Sequence, residues 1–244
     1  MKIQLICITL IFAQCILQSL HARTLYVGAG AEYATLEDVQ DIIQPNDVIE
    51  IMPGIYRQCA SFNVDNITIR PKGWPDYDAK PRFKDVTCEG KAIFVINGDN
   101  IRIDAIEFVN AKVIDRNDAG ILFNGGRLFV YDSYFYNNEV GVMTGNERTE
   151  DIVVDSSVFE SNGNLPPHWG HGLYVGSALS VKVKNSLFIK TKTGHHIKSR
   201  ALYTEVIGNE ISDGADGNAS YSIDISNGGN VLVADNIMQK GPYK

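Results

Sequence analysis

The stretch Val181 to Phe188, "VKVKNSLF", alternates apolar and polar residues, bends at Asn185-Ser186 and resumes on an apolar pair. The pattern recurs along the chain as "NITIR", "IRIDAIEF", "LFVYDSYF", "IVVDSSVF", "TEVIGNEI" and "VLVADNIM". Aligning the last apolar residues (Phe108, Phe135, Phe159, Phe188, Ile211 and Met238) gives a period of roughly 23–29 residues, within the range of solenoid repeats. Alternation with period two predicts strands and argues against helical repeats. Two positions before these residues stand Ser133, Ser157, Ser186, Asn209 and Asn236. Polar side chains stacked at a repeated bend can hydrogen-bond from coil to coil.

These features predict an all-β, right-handed parallel β-helix over 66–244. The segment 23–65 is read as an N-terminal strand, a short capping helix from about Leu36 to Ile43, and a first coil with a strand and a Pro53-Gly54 turn. Such a helix would cover the open end of the stacked core. With "NDVIEIMPGIY", "GVMTGN", "GHGLYVG", "GHHIKSRA", "YSIDISNGG" and "NIMQKGP", the chain resembles the pectin/pectate-lyase-like β-helix superfamily, and more narrowly exported bacterial right-handed parallel β-helix repeat proteins. The resemblance implies the fold. It leaves the activity open, because lyases, epimerases and hydrolases share the architecture.

Lys2, a short apolar run and Ala22 read as a secretory signal peptide over 1–22, which implies a secreted or periplasmic protein. No other stretch is apolar and long enough to span a bilayer, so no membrane partner is expected after cleavage. The net charge is -7, and cleavage removes one further positive charge, which argues against nucleic acid as a partner. Cys59 and Cys88 are read either as a disulfide or as two free thiols; they offer no metal-ligand spacing. The final Gly241-Pro242-Tyr243-Lys244 follows a coil directly, so an incomplete or partner-covered C-terminal end is expected. Nothing in the pattern sets an oligomeric state.

Between Ser161 and Thr204 there is no Asp or Glu, yet Lys182, Lys184, Lys190, Lys192, Lys198, Arg200, His168, His171, His195 and His196 fall there. A basic island on an acidic chain suggests an anionic ligand. Strand alternation from Ile121, Val142, Leu173, Ile197 and Ile223, taken as inward, turns Leu122, Met143, Tyr174, Lys198 and Asp224 outward in one ladder. The same alternation places His196 and the glycines Gly120, Gly141 and Gly172 outward on one side of that ladder, and Arg200 on the other. His171, His195 and Tyr221 begin the strands, and their direction cannot be read from alternation. Trp169 is a candidate sugar-stacking residue; Lys182 and Lys184 read as a solvated face. Asp213, Asp216 and Asn218 read as a polar turn, with Ca²⁺ as the alternative and no other cofactor suggested.

An anionic, uronate-containing polysaccharide fits this island. β-Elimination or C5-epimerisation needs a cation on the carboxylate, a base and an acid. The candidates are Arg200 as clamp, Tyr174 as proton donor, and Lys198, His171 or His196 as base, with His195, Asp224, Tyr221 and Trp169 binding substrate. Acting as a base, Lys198 must lose about 4 kcal/mol of preference for its charged form. A like charge about 6 Å away supplies roughly 3 kcal/mol, which an ionised Asp224 would oppose. "GHGLYVGS" and "HIKS" also resemble elements of polygalacturonases, but "GVMTGN" has no carboxylate where their aspartate pair would fall. Inverting hydrolysis and a non-catalytic glycan-binding or structural role are therefore the alternatives.

Overall fold

The computed structural model describes residues 22–113, 118–145, 149–165 and 168–241. The leader expected at 1–22 lies outside these residues except for Ala22, as do Pro166, Pro167, Pro242, Tyr243 and Lys244. The described strands form parallel sheets of nine, seven and eight members, each stacked in chain order. One coil runs through Ile101–Asp104 in the nine-stranded sheet, Glu107–Val109 in the eight-stranded sheet and Ala119–Phe123 in the seven-stranded sheet, then returns with Arg127–Tyr131. No helix among the described residues is long and apolar enough to cross a membrane.

The repeat read from the sequence is the repeat of the structure. Phe108, Phe135, Phe159, Phe188, Ile211 and Met238 are successive partners in register. Parallel in-register strands hold equivalent side chains about 4.8 Å apart, the spacing at which aromatic rings stack. The Phe108–Phe135, Phe135–Phe159 and Phe159–Phe188 centroids are 5.0, 4.6 and 4.5 Å apart. At the bends before Phe135, Phe159, Phe188 and Met238, Asp132, Ser156, Asn185 and Asp235 take φ between 47° and 56°. That bend breaks the backbone ladder, and the polar residue after it restores the bonding. The Ser133 amide donates to Ser157 Oγ (3.1 Å), the Ser157 amide to Ser186 Oγ (3.1 Å), the Ser186 amide to Asn209 Oδ1 (2.9 Å) and the Asn209 amide to Asn236 Oδ1 (2.9 Å).

The N-terminal helix is shorter than expected, a single turn at Glu37–Gln40. Thr35 and Asp38 bond reciprocally, with the Asp38 amide on Thr35 Oγ1 (3.2 Å) and the Thr35 amide on Asp38 Oδ2 (2.8 Å). One turn suffices, because it already buries Leu36 and Val39 in the core. Cys59 and Cys88 form a disulfide, which resolves the alternative left open by the sequence. Closing a loop of about 30 residues stabilises by roughly 3–4 kcal/mol. In the last coil, Val231, Val233 and Met238 occupy inward positions and are exposed.

Candidate functional site

The seven-stranded sheet carries the basic island, and its register matches the sequence reading. Met143, Tyr174, Lys198 and Asp224 are successive partners. Leu173 and Ile197 are buried beneath them.

One row departs from that reading. Simple alternation places Gly120, Gly141, Gly172 and His196 outward, but the register passes from Ala119↔Val140 to Ile121↔Val142 without pairing the glycines between them. A Cβ at Gly120, Gly141 or Gly172 would lie 2.9, 2.7 or 3.1 Å from the rings of Phe135, Phe159 or Phe188. Two consecutive residues therefore face inward where each strand begins, and the glycines pass under the phenylalanine stack rather than opening a groove. His196 occupies this row and is fully buried, so it is not part of the outward site. The stack gives way to Ile211 there, and the imidazole is satisfied by Thr191 Oγ1 at Nδ1 (2.8 Å) and Asp213 Oδ1 at Nε2 (2.9 Å). Burial pushes the His196 pKa down to about 4 against the pull of Asp213. Burial works to raise the Asp213 carboxyl, but bonds from Lys240, the Gly241 amide and His196 outweigh it and hold it below the usual range. Asp213 thus faces inward on a lysine, while Asp216 and Asn218 are exposed, which removes the support for the calcium reading of this turn. Among the described residues no cluster of three or more His, Cys, Asp or Glu is arranged to hold a metal.

The same offset turns the preceding row outward. His171, His195 and Tyr221 are register partners, with ring centroids 5.1 and 5.2 Å apart. The His171 ring also stacks on Tyr174 (5.5 Å). Asp224 Oδ2 gathers His195 Nε2 (3.3 Å), Lys198 Nζ (3.4 Å) and the Ser226 hydroxyl (3.1 Å). Lys198 Nζ and Arg200 Cζ lie 5.9 and 5.7 Å from the Tyr174 ring centroid. Tyr174 is thus flanked by two cations, one already paired with Asp224.

His171 is chemically constrained. Burial, then the neighbouring His195 and Lys198, push its pKa down to about 3, so the ring is neutral near neutral pH. Its Nδ1 accepts the His195 amide (3.1 Å), which leaves the proton on Nε2. His171 is a hydrogen-bond donor in this arrangement, not the base that the sequence allowed.

The outward ladder opens onto a groove of ≈ 450 Å³ lined by Met143, Thr144, Trp169, His171, Tyr174 and Lys198. Trp169 stands at its edge, 68% exposed. Tyr221 is exposed one coil below His195. Lys182 and Lys184 lie on the nine-stranded sheet facing Glu205 (3.8 and 3.9 Å), away from the groove. Sequence reasoning placed Leu122 and Met143 on this outward wall but missed the inward offset; the signal for the offset was glycine at one strand position in three coils. Lys192, part of the basic island in the sequence, is half-buried and bonded to the Asn137 side chain. Burial, then the charge of Lys112, lower its pKa to about 8.

A family model described as a right handed beta helix region matches residues 15–238. No curated protein and no solved structure matches.

Proposed function

The chain belongs to the right-handed β-helix family, and on that premise we propose that its outward site binds an anionic, uronate-containing polysaccharide and cleaves it by β-elimination. The observation that carries this reading is Tyr174 flanked by Lys198 and Arg200 on the wall of a groove edged by an exposed tryptophan. Arg200 clamps the carboxylate through its planar fork. Lys198, held by Asp224, stabilises the negative charge that builds on the carboxylate as the neighbouring C–H bond breaks. With its ammonium engaged by Asp224, Lys198 is placed for charge neutralisation rather than for the role of base. The Tyr174 hydroxyl passes its proton to the departing glycosidic oxygen as it takes up the one released from the carbon beside the carboxylate, so one group serves as acid and base and ends as it began, while His171 donates a hydrogen bond from Nε2. Trp169 supplies a face for a sugar ring.

The strands of this face carry one carboxylate, Asp224, and it is engaged by three partners. Inverting hydrolysis needs two carboxyl groups set apart for an acid and a water-activating base, so hydrolysis is disfavoured. Epimerisation needs proton transfer on both faces of the sugar, whereas a single tyrosine on one wall suits elimination. The second reading is binding without cleavage, favoured by the completeness of the Lys198–Asp224–His195 network.

The test is incubation with pectate, alginate and glycosaminoglycans, read by the ultraviolet absorbance of the unsaturated uronate. The expected result is product from one of them, abolished in Lys198→Met with the fold intact. New reducing ends without absorbance would indicate hydrolysis, and binding without either would indicate the non-catalytic reading.

A further inference from the structure

Beyond Arg200 the sheet turns, and a second concavity of ≈ 520 Å³ opens between Ala178, Leu179, Ala201, Leu202 and Gly228, with Arg200 on its rim. Leu179 and Leu202 are 48% and 61% exposed. They lie on adjacent coils tied by the Leu202 amide on the Ala178 carbonyl (3.0 Å). Scattered exposed leucines are ordinary, but two stacked in a hollow beside a charged groove form a built apolar surface. Its floor is bare. Gly228 takes φ 71°, and a Cβ there would meet nothing within 4 Å.

Arg200 joins the two cavities. Its guanidinium lies over the Tyr174 ring on one side, and it lines the apolar hollow on the other. Its Nε is buried without a hydrogen-bond partner, so the donors that meet an incoming anion are those at the end of the guanidinium fork. A uronate carboxylate held at Arg200 directs a neighbouring ring substituent toward Leu179 and Leu202. A bare hydroxyl there would leave both leucines wet, whereas a short acyl group would cover them.

We propose that this hollow is an acyl subsite, which receives a small apolar ester substituent (acetyl or a short-chain acyl group) on an anionic glycan whose carboxylate Arg200 holds. The proposal rests on the polyuronate reading of the main groove and adds a specificity that the reading does not require.

The experiment compares matched O-acetylated and de-acetylated oligouronates, prepared from pectate and from alginate, by calorimetric titration against the full chain. The expected result is about tenfold tighter binding of the acetylated form, the scale of one to two buried carbon groups. In Leu202→Asn and, separately, the hollow-filling Leu202→Trp, that preference should fall to about twofold or less while de-acetylated binding holds. Both variants change an exposed side chain, and an unchanged melting temperature checks the fold. Equal binding of the two forms by the unaltered protein would overturn the acyl subsite and leave the main-groove reading standing. No binding of either form would overturn that reading, and the subsite with it.

Discussion

The inside and the outside of the coils follow the same register and use it in opposite ways. Inward, one position repeats a residue type: Phe108, Phe135, Phe159 and Phe188 stack ring on ring. Outward, on the seven-stranded sheet, the residue changes at every rung, through Met143, Tyr174, Lys198 and Asp224. Repetition extends a core, because each identical ring buries the one below it. Variation builds a site, because strands about 4.8 Å apart bring unlike groups within reach of one another without any loop to hold them. Stability should therefore respond to the inner ladder and activity to the outer one.

The largest expected effect is on the inner ladder. Phe159 is fully buried between two rings, and Phe159→Ala should cost about 3–5 kcal/mol in a urea titration. A cost below 1 kcal/mol would mean that the stack is not what holds the coils together. Acid comes next, and it acts on both ladders. His171, near His195, Lys198 and Asp224, has its pKa lowered to about 3; His196, near Asp213, Lys240 and His195, has its pKa lowered to about 4. Between these values and the ordinary 6.5, the unfolded chain binds protons that the folded chain refuses. The contribution is fully present above pH 6.5 and lost as the pH falls toward 4 and 3. Going from pH 6.5 to pH 4.5 should cost about 2 kcal/mol per histidine, seen as a falling urea midpoint and reduced in His171→Gln and in His196→Gln. Equal acid sensitivity of the parent and both variants would assign the loss to other groups.

The sequence carried the repeat, the phenylalanine and Ser/Asn ladders and the Tyr174–Lys198–Asp224 register, because each depends on period-two alternation and the coil length alone. It carried the Cys59–Cys88 pair only as one of two alternatives, since two cysteines fix a composition and not a distance. His196 was misread for a definite reason. Alternation assumes an unbroken strand, and these strands begin with an offset that sends two neighbours inward. The same offset decided the direction of His171, His195 and Tyr221, which alternation had left open. The hollow at Leu179 and Leu202 was invisible for another reason, because it lies where the chain enters the nine-stranded sheet, at the start of the strand Ala178–Lys184 and just before Tyr203–Ile207, where alternation is not yet established.

The offset can be tested directly, at a position where the two readings of the strand predict different outcomes. If Gly172 faced outward, as uninterrupted alternation requires, an added methyl would sit on the groove wall and change stability by no more than a few tenths of a kcal/mol. With the row inward, a Cβ at Gly172 falls 2.5 Å from the His196 carbonyl oxygen and 3.1 Å from the Phe188 ring. Neither neighbour can yield freely. The carbonyl belongs to the paired strand below, and the ring is fully buried in the stack. Gly172→Ala should therefore cost about 1–3 kcal/mol by overpacking. Gly145→Ala makes the contrast, since its Cβ approaches the Asn124 side-chain oxygen (2.8 Å), an amide on the outer face that can swing aside. A urea midpoint lowered in the first variant and nearly unchanged in the second would fix the inward turn of the row that buries His196. The reverse order would return His196 to the groove and reopen its candidacy as the base.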